Sequence, residues 1–176
     1  MLTSSDFKDL LRLLEKHNAR YMVIGGYAVM KYSEPRYTKD LDLLISTDNE
    51  NAEAVFNALK EFGAPLENLT ADDFTNKDYF YQMGRAPLRI DVLMSAAGVE
   101  FEQAWKNRAE VNIEDCKVYF ISLTDLIASK EASGRPQDII DAKKLRKALE
   151  KREERLKKSL EFVNRHHAKT LKKLSE

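Results

Sequence analysis

Tyr21-Met22-Val23-Ile24-Gly25-Gly26-Tyr27-Ala28, followed closely by Thr38-Lys39-Asp40-Leu41-Asp42-Leu43-Leu44-Ile45, is the stretch on which the fold turns. The run Tyr21 to Ile24 reads as a short buried strand that ends at a glycine pair. Ala28 to Tyr32 reads as a short helix, stopped by Pro35. Residues 38–45 alternate: Leu41, Leu43 and Ile45 share one face, and Thr38, Asp40 and Asp42 share the other. The order is therefore strand, Gly-Gly, helix, and then a strand bearing Asp-x-Asp. Glycines after a strand let the backbone approach a ligand closely and turn N–H groups toward a phosphate beside a helix start. Two acids spaced by two on a strand project the same way, a pattern suited to magnesium, which favours hard oxygen ligands and substrate phosphates.

Outward from this centre, Thr3-Ser4-Ser5-Asp6 has the pattern of a capping box, with Leu2 and Phe7 spaced as a hydrophobic staple. Phe7, Leu10, Leu11 and Leu14 then mark an amphipathic helix over 4–18. Thr47-Asp48-Asn49-Glu50 is a second capping box and predicts a helix to Phe62, before Gly63. Residues 63–76 read as loop with a short helical turn. Tyr79 to Met83 and Leu88 to Met94 read as strands joined through Gly84-Arg85-Ala86-Pro87. A helix is expected over 100–108 and a strand over Lys117 to Ile121. Ser122-Leu123-Thr124-Asp125 caps a further helix that ends near Gly134. Pro136 suits a first helical position, and nothing interrupts 137–174, which reads as one helix or two with a bend. Strands alternating with helices give an α/β or α+β class with a central mixed sheet flanked by helices; the hairpin argues against a purely parallel sheet.

The 176 residues suit one domain with an appended segment. No apolar run approaches the ~18 residues a membrane span needs. The N-terminal residues lack the basic and apolar regions of a signal peptide, and the single cysteine, Cys116, excludes an internal disulfide framework. A cytoplasmic location is expected. Formal net charge is zero, but it is divided. Residues 1–142 carry 16 basic and 24 acidic side chains, a net of −8; residues 143–176 carry 13 and 5, a net of +8. This divides the chain into a body over 1–142 and a basic amphipathic helical extension over 143–176.

A third carboxylate would complete an Asp-x-Asp centre, and Asp91, a lone acid in the apolar run Arg89-Ile90-Asp91-Val92-Leu93, is the best placed. It could share a metal with Asp40 and Asp42 and take a proton from an attacking hydroxyl. Val23-Ile24-Gly25-Gly26-Tyr27-Ala28 with Pro35-Arg36-Tyr37-Thr38-Lys39-Asp40-Leu41-Asp42-Leu43 resembles the polymerase β-like nucleotidyltransferase superfamily. More narrowly, the chain is similar to small bacterial and archaeal nucleotidyltransferase-like proteins. Their Leu-Ile-x-x-Lys helix and Gly-Arg-Pro-x-Asp segment read here as Leu126-Ile127-Ala128-Ser129-Lys130 and Gly134-Arg135-Pro136-Gln137-Asp138. The resemblance covers roughly residues 5–145. It implies the nucleotidyltransferase fold and transfer of a nucleoside monophosphate from a nucleoside triphosphate to an acceptor hydroxyl, with release of pyrophosphate. It implies Asp40, Asp42 and Asp91 as ligands of magnesium, two ions being expected, with Asp91 also the general base. Gly25 and Gly26 would hold the triphosphate, Lys130 would neutralise phosphate, and Arg36 and Thr38 would orient phosphate or the metal ligands. Gln137 departs from the lysine found in many relatives.

The acceptor is open among tRNA, a partner protein and a small molecule; relatives of this kind include toxin–antitoxin and abortive-infection types. The alternative is a nucleotide-binding or toxin-neutralising module with little turnover. Other residues read plainly. Asp138 and Asp141 favour a helix start, the adjacent His166 and His167 face different sides, and Trp105, Tyr79, Phe80 and Tyr81 read as packing groups. In the tail, Leu145, Leu149, Leu156, Leu160, Val163, Leu171 and Leu174 mark one side between many Lys and Arg. That helix reads as packing on the body or a partner, as an electrostatic contact to RNA, or as a self-associating coil.

Overall fold

The computed structural model describes residues 4–38, 40–85, 88–114 and 116–174, with side chains to 166. Expectations on Leu2, Thr3, Lys39, the Ala86-Pro87 turn, and the side chains of His167, Lys169, Leu171, Lys172, Lys173 and Leu174 lie outside the described residues. The order is α1 (Ser5–Lys16), β1 (Tyr21–Val23), α2 (Gly25–Tyr32), β2 (Asp40–Ile45), α3 (Asn49–Phe62), a 3₁₀ turn (Ala71–Thr75), β3 (Phe80–Met83), β4 (Arg89–Leu93), α4 (Phe101–Asn107), β5 (Ala109–Ile113), β6 (Cys116–Phe120), α5 (Leu123–Ser133) and α6 (Pro136–Leu174). The strands form one mixed sheet in the order β3-β4-β2-β1-β6-β5. β2 runs parallel to β4 and antiparallel to β1, while β3–β4 and β5–β6 are antiparallel pairs.

The register sorts the sheet into two chemically different faces. Leu41 pairs with Ile90, Leu43 with both Val92 and Val23, Ile45 with Tyr21, and Val23 with Phe120. All of these are buried, so this face is apolar throughout. The other face carries Asp40 beside Arg89, Asp42 beside Asp91, and Gln82 beside Asp91. A slip of one residue would drive the carboxylates into the core, so burial of the apolar set fixes the acids on the open side.

Helix boundaries follow local chemistry. In α1, Phe7, Leu10, Leu11 and Leu14 are buried and the helix packs on α3 and β6. The N-cap of α3 is Asp48, one residue later than expected, and its side chain accepts from Asn51 N–H. Burial alone would raise the Asp48 carboxyl, but the Ser46 hydroxyl, the Asn51 amide and the Arg20 guanidinium hold it down at about 2. Gly63 closes α3 in the left-handed region at φ 84°. Buried Asn51 accepts from Arg20 N–H at 2.5 Å and donates to Arg20 O at 3.1 Å and Ser46 O at 2.8 Å, tying α3 to the sheet. Ser122 caps α5 by accepting from Asp125 N–H at 3.1 Å.

Three differences from the sequence reading have physical causes. Gly25 and Gly26 are the first turn of α2 rather than a turn before it. β5 went unread because Glu114, at φ 57°, makes its turn without a glycine. Tyr79 and Phe80 are exposed, at 56% and 63%, because Phe80 stands on the open sheet face, whereas Tyr81 is buried. Trp105 packs as expected, stacked on Phe101 with centroids 5.8 Å apart. α6 continues through residue 143 without a break, with Ala142 and Leu145 buried. From Lys151 to His166 every side chain is exposed, Leu156, Leu160 and Val163 among them, so this part of the stripe does not pack on the body. Among the described residues, no helix is long and apolar enough to cross a membrane.

Candidate active site

The end of β1 meets the start of β2. Ile24 N–H donates to Asp42 O at 2.9 Å, which brings the two glycines against the acids. A Cβ on Gly25 would lie 1.9 Å from Asp42 Oδ2, and Gly25 sits at φ 58°. A Cβ on Gly26 would lie 2.4 Å from Thr38 Oγ1 and 3.0 Å from an Arg36 guanidinium nitrogen. Both positions are therefore glycine because a carboxylate and a hydroxyl occupy the space of a side chain, and Gly25 also because of its backbone. The Gly26 N–H is a donor to Asp42.

The three carboxylates share the open face but are not equivalent. Asp91 is 8% exposed, and both its oxygens are engaged: Gln82 Nε2 donates to Oδ1 at 2.9 Å and Arg89 Nη2 to Oδ2 at 3.0 Å. The same Arg89 nitrogen donates to Asp40 Oδ2 at 2.6 Å. Asp40 Oδ1 is buried and lacks a hydrogen-bond partner among the described residues. Asp42 is pushed up to about 6, first by burial, then by the charge of Asp91, with a smaller push from Asp40; Lys130 and the Gly26 N–H act in the opposite direction. A buried oxygen without a partner and a carboxylate short of positive charge suit a hard divalent cation at Asp40 and Asp42. Among the described residues, however, no group of three or more His, Cys, Asp or Glu side chains is gathered as a metal-ligand set. Arg89 lies between Asp40 and Asp91 instead.

α5 and α6 supply the surrounding charge. Lys130 Nζ is 2.5 Å from Asp138 Oδ1. Asp138 also accepts from the Ser133 hydroxyl, and these partners outweigh burial and lower its carboxyl. Arg36 Nη1 stands 3.3 Å from Asp141 Oδ2, and Gln137 Nε2 donates to Asp141 Oδ1 at 3.1 Å. Asp141 is fully buried and Asp138 7% exposed, so these acids are not simple helix-start charges. Each is the internal partner of a cation expected to face phosphate. Thr38 Oγ1 reaches Asp40 O at a long 3.5 Å.

Sequence reasoning missed Arg89, Gln82 and the roles of Asp138 and Asp141. Arg89 had a signal, since it lies two residues before Asp91 and so shares its face. Gln82 depended on the β3–β4 register, and Arg36–Asp141 joins residues too far apart for any local pattern.

One protein family, described as "Nucleotidyltransferase of unknown function (DUF6036)", matches residues 5–165. Among solved structures, the crystal structure of the lincosamide antibiotic adenylyltransferase LnuA with lincomycin bound is similar at 15% identity, covering 82% of this chain and 96% of that chain with a TM-score of 0.47. No curated protein matches the chain.

Proposed function

The chain belongs to this nucleotidyltransferase family, and on that premise we propose that it moves a nucleoside monophosphate from a nucleoside triphosphate to an acceptor hydroxyl, releasing pyrophosphate. The observation that carries this reading is the seating of Asp42 on Gly25, on the same sheet face as Asp40 and Asp91. In this reading the N-terminus of α2, opened by Gly25 and Gly26, faces the triphosphate, while the Gly26 N–H stays with Asp42. Asp40 and Asp42 would hold magnesium, which when bound would neutralise phosphate charge and stabilise the attacking and leaving oxygens. Asp91 takes the proton from the acceptor hydroxyl, its carboxylate oriented by Gln82 and Arg89. Asp91 would add to the holding of magnesium only through the oxygen that Arg89 engages here. Lys130 and Arg36 are held near the site by Asp138 and Asp141, so their charge is positioned before nucleotide arrives. The acceptor is a tRNA, a partner protein or a small molecule.

A second reading has a specific observation in its favour. Arg89 already neutralises Asp40 and Asp91, which suits a nucleotide-binding or toxin-neutralising module with little turnover. Incubation with each α-labelled nucleoside triphosphate, magnesium and total RNA, protein or small-molecule extract separates them. Label transfer with pyrophosphate release supports the enzyme. Binding without transfer supports the module.

A further inference from the structure

Among the described residues, six cations without an ion pair line one groove, whose lining does not include Asp40, Asp42 or Asp91. Over most of the body, basic side chains are tied to acids: Lys8 to Glu114, Lys16 to Glu61, Arg20 to Asp48, Lys130 to Asp138 and Arg146 to Glu131. The groove, a cavity of about 830 Å³ between the end of α2 and the middle of α6, differs. It is lined by Lys31, Lys144, Lys147, Lys151, Arg152 and Arg155, with Glu34 as the single acid. None of the six cations makes an ion pair among the described residues. Lys144, Lys147, Lys151 and Arg155 follow one side of α6, since spacings of three and four return to the same face. At 1.5 Å per residue they form a track of ~16 Å. Lys31, over the Phe120 ring at 5.1 Å, faces them from α2. Burial and the nearby Arg152 charge lower its ammonium, so an anion between the two walls would relieve both.

Two lining residues are close in the chain to groups at the candidate active site. Pro35 lines the groove, and the next residue, Arg36, pairs with Asp141 and stands over Gly26. Along α6, Lys144 lies one turn beyond Asp141. A single triphosphate is shorter than the track, and a flat bilayer cannot reach both walls of a concavity. A linear, repeating anion fits, because like charges lining a cleft focus their field along it. We infer that this groove binds the phosphate backbone of a polynucleotide and delivers its terminal hydroxyl to the Asp40–Asp42 centre. The groove thus names the acceptor class, and to that extent it rests on the nucleotidyltransferase reading.

The test is fluorescence anisotropy of labelled 20-nucleotide RNA and DNA strands across a salt series, using the full chain. Wild type is expected to bind, and more weakly as salt rises. Lys144→Glu with Lys147→Glu and Lys151→Glu should weaken binding at least 30-fold. It should also reduce the log–log salt slope by about 2, since each phosphate neutralised on a single strand accounts for ~0.7 of that slope. The three lysines are exposed, so circular dichroism should be unchanged. The milder Lys147→Gln with Lys151→Gln should lower the slope by about 1.4 on the same basis. Binding of either strand supports the inference, their ratio reporting the sugar. Equal or tighter binding to phosphatidylserine vesicles or polyglutamate, or binding indifferent to these variants, overturns it. Asp40→Asn with Asp42→Asn separates the two readings, because it should abolish transfer yet bind RNA as wild type does. RNA binding without transfer by wild type would sink the enzyme and leave the groove. Transfer to a protein or small molecule at an unchanged rate in the triple variant would sink the groove and leave the enzyme.

Discussion

Gly25 and Asp42 occupy the same space, and this contact is the most exacting feature of the site. An alanine at Gly25 would hold φ 58° against its preference and place a methyl 1.9 Å from the Asp42 carboxylate. The backbone strain alone is about 1–2 kcal/mol. Displacing the carboxylate by an ångström should cost transfer about 100-fold. Gly25→Ala is thus expected to melt earlier and to lose activity beyond its loss of folded protein, as thermal melts beside single-turnover assays would report. Arg89 makes a second residue-level prediction. Arg89→Met leaves Asp40 and Asp91 facing each other without a cation, so the metal-free protein should lose about 1–2 kcal/mol, the pair being partly solvated. Magnesium should stabilise the variant at lower concentration than wild type. Weaker magnesium stabilisation in the variant would show that Arg89 assists the metal rather than competing with it. Asp42 adds a pH dependence. Its folded value of about 6 lies above the ordinary 3.8. Its contribution is therefore fullest below about 4 and is lost as pH rises through 6. A tenfold change in a proton equilibrium is worth about 1.4 kcal/mol. With partial exposure allowed for, Asp42→Asn should gain about 2 kcal/mol on wild type between pH 4 and 7 in chelator. Parallel melting curves would contradict this.

Among the elements, α3 depends on its cap. Asp48 accepts from Asn51 N–H, binds the Ser46 hydroxyl at 2.6 Å and receives Arg20 at 2.7 Å. Asp48→Ala should cost about 1 kcal/mol in denaturant melts, and an unchanged midpoint would mean that Asn51 alone seats the helix. The same element shows what could be read beforehand. Its helix and its Gly63 stop were legible from periodicity and glycine, but its cap was misplaced by one residue, because Thr47 and Asp48 are both good caps. β2 and β4 were legible for a different reason: an acid in an apolar alternating run can occupy only one face. β5 was not, because Ala109-Glu110-Val111-Asn112-Ile113 is a short edge strand with no glycine or proline at its turn. Asp40, Asp42 and Asp91 were found as strand residues. Arg89 as their bridge, and Asp138 and Asp141 as buried counter-charges, emerge only once register and helix packing are known.

For the whole molecule, the neutral total charge conceals an arrangement. The body is acidic, its cations are mostly paired internally, and three of its carboxylates, Asp40, Asp42 and Asp91, share one sheet face. Six cations without an ion pair among the described residues line the groove between α2 and α6. A chain built this way presents acids where a metal and a triphosphate would be held, and unpaired cations where a second anion would approach. Everything in that account depends on Asp40 and Asp42 serving chemistry rather than solubility. The most direct test is transfer of α-labelled nucleotide with magnesium by wild type and by Asp40→Asn with Asp42→Asn, at matched folded concentration. Loss of label transfer and of pyrophosphate by at least 1,000-fold in the variant, on the order of removing a dominant electrostatic contribution to the transition state, is the predicted result. Transfer at the wild-type rate in the variant would contradict the account.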